Sequence, residues 1–217
     1  MRITVIGAAG TTGRRIVDEA LARGHRVTAA VRSPERATGL PAGVAVRTAD
    51  AAEAAQVAAL AAGQDALVSA TRPAPGREHE HPATARALLR GAAAAGVRVL
   101  IVGGAGSLTA PDGGLAVDDP RYVDPAWRAI ALASNAQYDA VREEAAADPE
   151  ADWTYLSPPA MLGPGTRTGR YRLGRDALLT APDGASAITT EDLAAALLDE
   201  LEQRRFPRTR FTVAAAP

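Results

Sequence analysis

The chain has 217 residues, 24 basic and 25 acidic side chains, a net charge of -1 and no cysteine. That length suits one large α/β domain that buries a sheet between two helical layers, and the balanced charge gives no general attraction for nucleic acid or an anionic membrane. The missing thiols exclude disulfides, thiol catalysis and cysteine-ligated metal, and neither a leader segment nor an apolar stretch of membrane-spanning length is read, so the expectation is a cytoplasmic monomer or homodimer.

The first thirty-two residues hold the main signal. Arg2 to Ile6 is a short β-branched run, Gly7-Ala-Ala-Gly10-Thr-Thr-Gly13 is a glycine-spaced turn, Thr12 to Arg23 has apolar residues at helical spacing, and His25 to Val31 reads as a second strand. In such a unit Gly7 permits the tight turn off the strand, Gly10 lets the backbone approach a pyrophosphate, and Gly13 brings the helix close to the sheet. The helix N-terminus then faces the phosphates, with the Thr11 and Thr12 hydroxyls as added donors. The spacing is G-x-x-G-x-x-G, and its place between strand and helix is what makes it a nucleotide signal.

Strand and helix then alternate: Val44 to Arg47, a helix over Glu53 to Ala61, the buried run Asp65 to Ala70, a helix over Ala83 to Ala95, and Val97 to Val102. This alternation predicts a doubly wound parallel sheet of Rossmann type. A longer helix is expected over Pro125 to Ala147, with Asp124 as N-cap, followed by a strand at Trp153 to Ser157. From Gly163 to Arg175 the chain is rich in glycine and arginine, and Thr190 to Leu201 and Arg210 to Val213 read as a last helix and strand. The expectation is a single domain, with residues 1–157 as cofactor-binding core and 158–217 as a small substrate-side lobe. The loops Thr71 to Pro82 and Leu108 to Asp124 follow strands, so they should surround the ligand.

Ile6-Gly7-Ala8-Ala9-Gly10-Thr11-Thr12-Gly13, Val31-Arg32-Ser33-Pro34, Val102-Gly103-Gly104-Ala105-Gly106-Ser107, the run Asp152 to Pro158 and the run Arg167 to Gly174 together resemble the atypical short-chain dehydrogenase/reductases. The branch is the one that includes NmrA-like proteins, biliverdin-IXβ/flavin reductases and NADH-flavin reductases. The resemblance covers nearly the whole chain and implies use of NADPH or NADH to reduce a planar acceptor. It also implies cofactor contacts at Ala9, Ser33 and Pro158 and a substrate-orienting hydroxyl at Ser107, the one catalytic candidate.

Arg32 ends the second strand where NAD-preferring enzymes carry an acidic residue, so it is read as a 2′-phosphate ligand, joined by Arg14. Asp50 either borders the adenine or caps the next helix. Ala70, Thr71 and Arg72 leave the fourth strand beside the pyrophosphate and nicotinamide ribose, and Gly103 and Gly104 leave the fifth strand with the bare backbone that close approach to a nicotinamide requires. Tyr122, Trp127 and Arg128 either line the acceptor pocket or pack helix on sheet. His79 and His81 lack metal-site spacing, so no metal is expected; one of them is a candidate gate or proton donor. His25 reads as structural.

The usual Tyr-x-x-x-Lys pair is missing, and its nearest match, Tyr138-x-x-x-Arg142, lies too far along its helix to reach the cofactor. Three functions stay open on these residues. They are an NADPH-dependent reductase of a flavin or quinone, a carbonyl reductase or natural-product tailoring enzyme, and a non-catalytic NADP(H) sensor.

Overall fold

The structure, a computed structural model, describes residues 1–216. Its strands in chain order are β1 (Arg2–Ile6), β2 (Arg26–Val31), β3 (Ala45–Thr48), β4 (Ala66–Ser69), β5 (Arg98–Val102), β6 (Trp153–Ser157), β7 (Met161–Gly163), β8 (Tyr171–Gly174), β9 (Ala187–Thr189) and β10 (Thr209–Ala215). The main sheet runs β3-β2-β1-β4-β5-β6-β10-β8. Every neighbour pair in it is parallel except β10 with β8. The fold is therefore the expected doubly wound α/β arrangement, with the strand order reversing at β1.

Central parallel strands are covered on both faces, which is why Ile3, Val5, Leu67, Val68, Val99, Leu100 and Ile101 read as continuous apolar runs and are all buried. Helices α1 (Thr11–Ala22) and α5 (Thr190–Gln203) cover one face, where Ile16, Val17, Leu193 and Leu197 pack with Val5, Val68 and Phe211. Helices α2 (Ala54–Ala61), α3 (His81–Ala94) and α4 (Arg128–Ala147) cover the other, where Val57, Leu88 and Val141 pack with Leu67, Ile101 and Tyr155. Gly91 of α3 lets α2 approach, since a Cβ there would stand 2.5 Å from the Val57 side chain.

Two expectations need correction, and the glycine- and arginine-rich run takes a definite form. Pro125–Trp127 is a separate 3₁₀ turn, capped by Asp124, whose carboxylate accepts from the Ala126 amide at 2.8 Å; α4 proper starts at Arg128. The division at residue 157 is not structural either: α5 packs on α1 and β10 adds to the sheet beside β6, so much of the last third belongs to the core. Finally, the glycine- and arginine-rich run is a strap that ends in β8. The buried Asp192 accepts from the Thr168 amide at 2.8 Å and the Gly169 amide at 2.7 Å, and Arg167 pairs with Glu19 of α1 at 2.6 Å. Its Arg167 ties the strap to α1 and lines a surface cleft with Arg15, Asp18, Ala22 and Glu191. β7 and β9, which form a separate parallel pair, had no alternating pattern to announce them because each is only three residues long.

Candidate functional site

The three glycines of the first turn differ in what surrounds them. Gly7 has φ +81°, its amide donates to the Ala30 carbonyl at 3.2 Å, and a Cβ on it would lie 2.7 Å from the Ala70 carbonyl oxygen. A Cβ on Gly13 would lie 2.1 Å from the Gly7 carbonyl oxygen. Those two therefore serve close backbone packing between β1, β4 and α1. Gly10 is exposed, and the only atom near its Cβ position is the Gly7 oxygen, at 3.3 Å. The space outside it is open. Gly10 is also the N-cap of α1 and brings no side chain to the helix end, so the first-turn amides at Thr11, Thr12 and Gly13 have no side-chain cap. An open glycine before an uncapped helix start fits a pyrophosphate in both shape and charge.

Around this turn the expected residues divide. Arg32 is exposed at the end of β2, and among the described residues it makes no hydrogen bond or ion pair. Ser33 follows it, half-buried, at the start of a 3₁₀ turn. The Arg14 guanidinium, by contrast, is already engaged, donating to the carbonyls of Ala9, Thr38 and Gly39 at 3.2, 2.5 and 3.2 Å. It braces the glycine turn against the loop after β2. Asp50 caps a turn, accepting from the Ala52 amide at 3.0 Å, and its own amide donates to Gln56 at 2.9 Å. Asp50 thus shapes the turn before α2, whose own N-cap is Glu53.

On the other side of β1, Ala70 sits against Gly7 and Thr71 hydrogen-bonds Ser69 at 3.0 Å. Arg72 lies over the Trp127 ring, 5.2 Å from its centroid, and Trp127 is 58% exposed. Trp127 is therefore not packed between helix and sheet, and the pair presents an aromatic and cationic surface to solvent. Tyr122 is half-buried against Leu108, Ala116 and Leu178, a small apolar cluster that anchors the loop after β5. His79 is exposed in a 3₁₀ turn, whereas His81 is buried at the start of α3. Among the described residues no group of three or more His, Asp or Glu could hold a metal ion.

The fifth-strand glycines are enclosed by side chains: a Cβ on Gly103 would stand 1.9 Å from the Tyr155 hydroxyl, and one on Gly104 would stand 2.7 Å from Cβ of Ser134. Their bareness serves packing of β5 on β6 and α4. Pro158 is buried just past β6.

The loops after β1, β2, β4 and β5 thus gather at the carboxyl edge of the sheet, where the strand order reverses, as ligand sites in such sheets do. A family described as NAD(P)H-binding matches residues 7–204. The chain belongs to this NAD(P)H-binding family. The uncharacterized Bacillus subtilis protein YwnB is 36% identical to it over 217 residues, covering 98% of each chain. A Bacteroides thetaiotaomicron protein named a candidate epimerase is 36% identical with a TM-score of 0.88, over 100% of this chain and 97% of that one. A Streptococcus pneumoniae protein named a candidate NADH-flavin reductase is 29% identical with a TM-score of 0.85, over 100% of both. A nicotinamide nucleotide is accordingly the cofactor that the family binds. No helix of the described residues is long and apolar enough to cross a membrane.

The tyrosines of this NAD(P)H-binding chain narrow its chemistry. There is no lysine anywhere, all 24 basic residues being arginine, so a tyrosine–lysine acid cannot be built. Tyr155 is fully buried with its hydroxyl 2.9 Å from Gln137 Oε1, and burial pushes its phenol well above the ordinary value. Tyr171 donates to Asp199, and burial, reinforced by that carboxylate, pushes it up to about 12. Tyr138 shares a cleft with Arg142, Trp153, Arg208 and Thr209, at the amino ends of β6 and β10, and its ring lies 4.4 Å from the guanidinium carbon of Arg210. Burial raises its pKa too.

Ser107 is half-buried, and its hydroxyl accepts from Arg210 at 2.8 Å. Arg210, on β10, was not legible as a site residue, since it lies 103 positions away in the chain.

Proposed function

We propose that this chain is an NADPH-dependent reductase that delivers hydride directly to a planar conjugated acceptor, a flavin or a quinone. The observation that carries the reading is the missing tyrosine–lysine acid: the chain has no lysine, and the Tyr155 and Tyr171 hydroxyls are each bound to an internal acceptor, so a carbonyl reductase would have to draw its proton from a loop residue such as Tyr122 or His79. Reduction of a carbonyl needs a proton at the oxygen as hydride arrives, whereas a flavin or quinone spreads the added charge over its rings until water protonates it. The bound nicotinamide supplies the hydride. The protein's own part is orientation: the open Gly10 and uncapped α1 hold the pyrophosphate, Arg32 takes the 2′-phosphate, Trp127 with Arg72 offers a surface for stacking, and the Ser107 hydroxyl aligns the acceptor.

The test is NADPH and NADH oxidation across a panel of flavins, quinones and aldehydes, with wild type and Tyr138→Phe. Turnover with flavins or quinones, retained nearly in full by Tyr138→Phe, is the expected result. Turnover with aldehydes alone, abolished by Tyr138→Phe, would make it a carbonyl reductase; cofactor binding without turnover on any acceptor would make it a sensor.

A further inference from the structure

Arg210 is buried, yet its guanidinium joins three separate parts of the molecule. It projects from β10, donates to the Ser107 hydroxyl at 2.8 Å, and contacts Asp176 Oδ1 at 3.0 Å through Nε and 2.5 Å through Nη2. The Tyr138 ring lies beneath it, 4.4 Å from the guanidinium carbon. Its balancing carboxylate is itself 69% exposed. One full charge is therefore held inside the protein, one hydrogen bond behind Ser107, with its counter-charge facing water.

We infer that Arg210 is a positioning residue that makes Ser107 an oriented, polarised donor, so that the site selects acceptors whose reduced form is anionic at the atom Ser107 meets. The inference rests on the reductase reading. An arginine only donates, so it occupies a lone pair of the Ser107 oxygen and leaves the hydroxyl proton as what the side chain can offer outward. The positive charge strengthens that donor, and low local dielectric makes the effect larger than at a surface. A flavin, a quinone or any conjugated carbonyl acquires negative charge on oxygen or ring nitrogen when hydride arrives, and the Ser107–Arg210 pair would hold that charge without giving up a proton. The titratable groups that face Arg210 are Asp176, Tyr138 and Tyr155.

Because the chain has no cysteine, a single thiol at position 107 reports the charge without depending on turnover. In Ser107→Cys, the thiol pKa, read from the pH dependence of iodoacetamide alkylation, should fall about one to three pH units below the ordinary thiol value. Adding Arg210→Met should return it close to that value. Adding Asp176→Asn instead, a surface change that leaves the core packing intact, should lower it further. An ordinary thiol pKa in Ser107→Cys, or one that ignores both second substitutions, overturns the inference. For turnover with a flavin, Arg210→Met should lower kcat about tenfold in the wild-type background and leave kcat of Ser107→Ala unchanged. Equal losses in both backgrounds would mean that Arg210 only supports the fold. A depressed thiol pKa in a protein that oxidises NADPH with none of the acceptors would instead uphold the charged serine and defeat the reductase reading.

Discussion

The Tyr155 hydroxyl fills the space beside Gly103: a Cβ there would lie 1.9 Å from it, inside any allowed contact. Tyr155 is fully buried between β6 and α4, so its ring has nowhere to move. Gly103→Ala should therefore cost about 1–3 kcal/mol of stability through overpacking. A lower urea midpoint together with an unchanged NADPH dissociation constant is the expected outcome. Full stability with weakened binding would restore the view that this glycine makes room for cofactor.

At the first turn the same reasoning separates two glycines that look equivalent in the motif. Gly10→Val brings its Cβ to 3.3 Å from the Gly7 carbonyl oxygen, a tight contact that a shift of a few tenths of an ångström relieves, on a backbone that any residue adopts, with φ -75°, so the fold should survive while the pyrophosphate loses its place. Gly13→Ala drives a Cβ to 2.1 Å from the Gly7 carbonyl and should unfold or distort the start of α1. Circular dichroism and cofactor titration distinguish the two. A folded Gly10→Val protein that binds NADPH normally would remove the cofactor assignment.

Arg32 is exposed and makes no ion pair among the described residues, so removing it breaks no native contact. If it binds a 2′-phosphate, Arg32→Ala should weaken NADPH about tenfold to a hundredfold, the equivalent of one charge-assisted hydrogen bond, and leave NADH nearly unchanged. Isothermal titration with both cofactors decides the matter; equal losses would count against the assignment.

His81 gives the protein an acid-sensitive element. It is buried at the start of α3, and burial pushes its imidazole down from 6.5 to about 4. Between those values the unfolded chain binds a proton that the folded chain refuses, so stability falls as pH drops through this window and levels off below about 4. The loss from pH 7 to pH 5 is about 2 kcal/mol. His81→Leu should flatten this part of the profile in urea melts at the two pH values. An equal loss in the variant would show that another group carries the sensitivity; Glu19, which hydrogen bonds from Arg167 hold below its ordinary 4.5, loses its contribution only at lower pH than this window.

Patterns that repeat over short distances were legible in the sequence. The apolar runs of β1, β4 and β5, the helical spacing of α1 and the glycine turn between them follow from local backbone preference, and together they imply the parallel sheet, the crossover helices and a phosphate-binding helix start. What side chains do at long range was not legible. Nothing near Gly103 in the chain announces Tyr155, 52 positions on, and nothing near Arg14 announces the carbonyls of Thr38 and Gly39 that it braces. Local chemistry reads a bare backbone as room for a ligand and an arginine near a glycine turn as a phosphate ligand; only packing shows the tyrosine beside the one and the carbonyls that hold the other. The same holds for Arg210. Its strand is local, but its contact with Ser107 across 103 positions exists only because β10 docks beside β6 and brings one buried charge to the loop after β5. The sequence by itself determined the fold class and the glycine turn, because both rest on short-range periodicity, while the contacts of individual polar residues were decided by the tertiary structure, because burial and partner, not residue type, set what a charge or a glycine does.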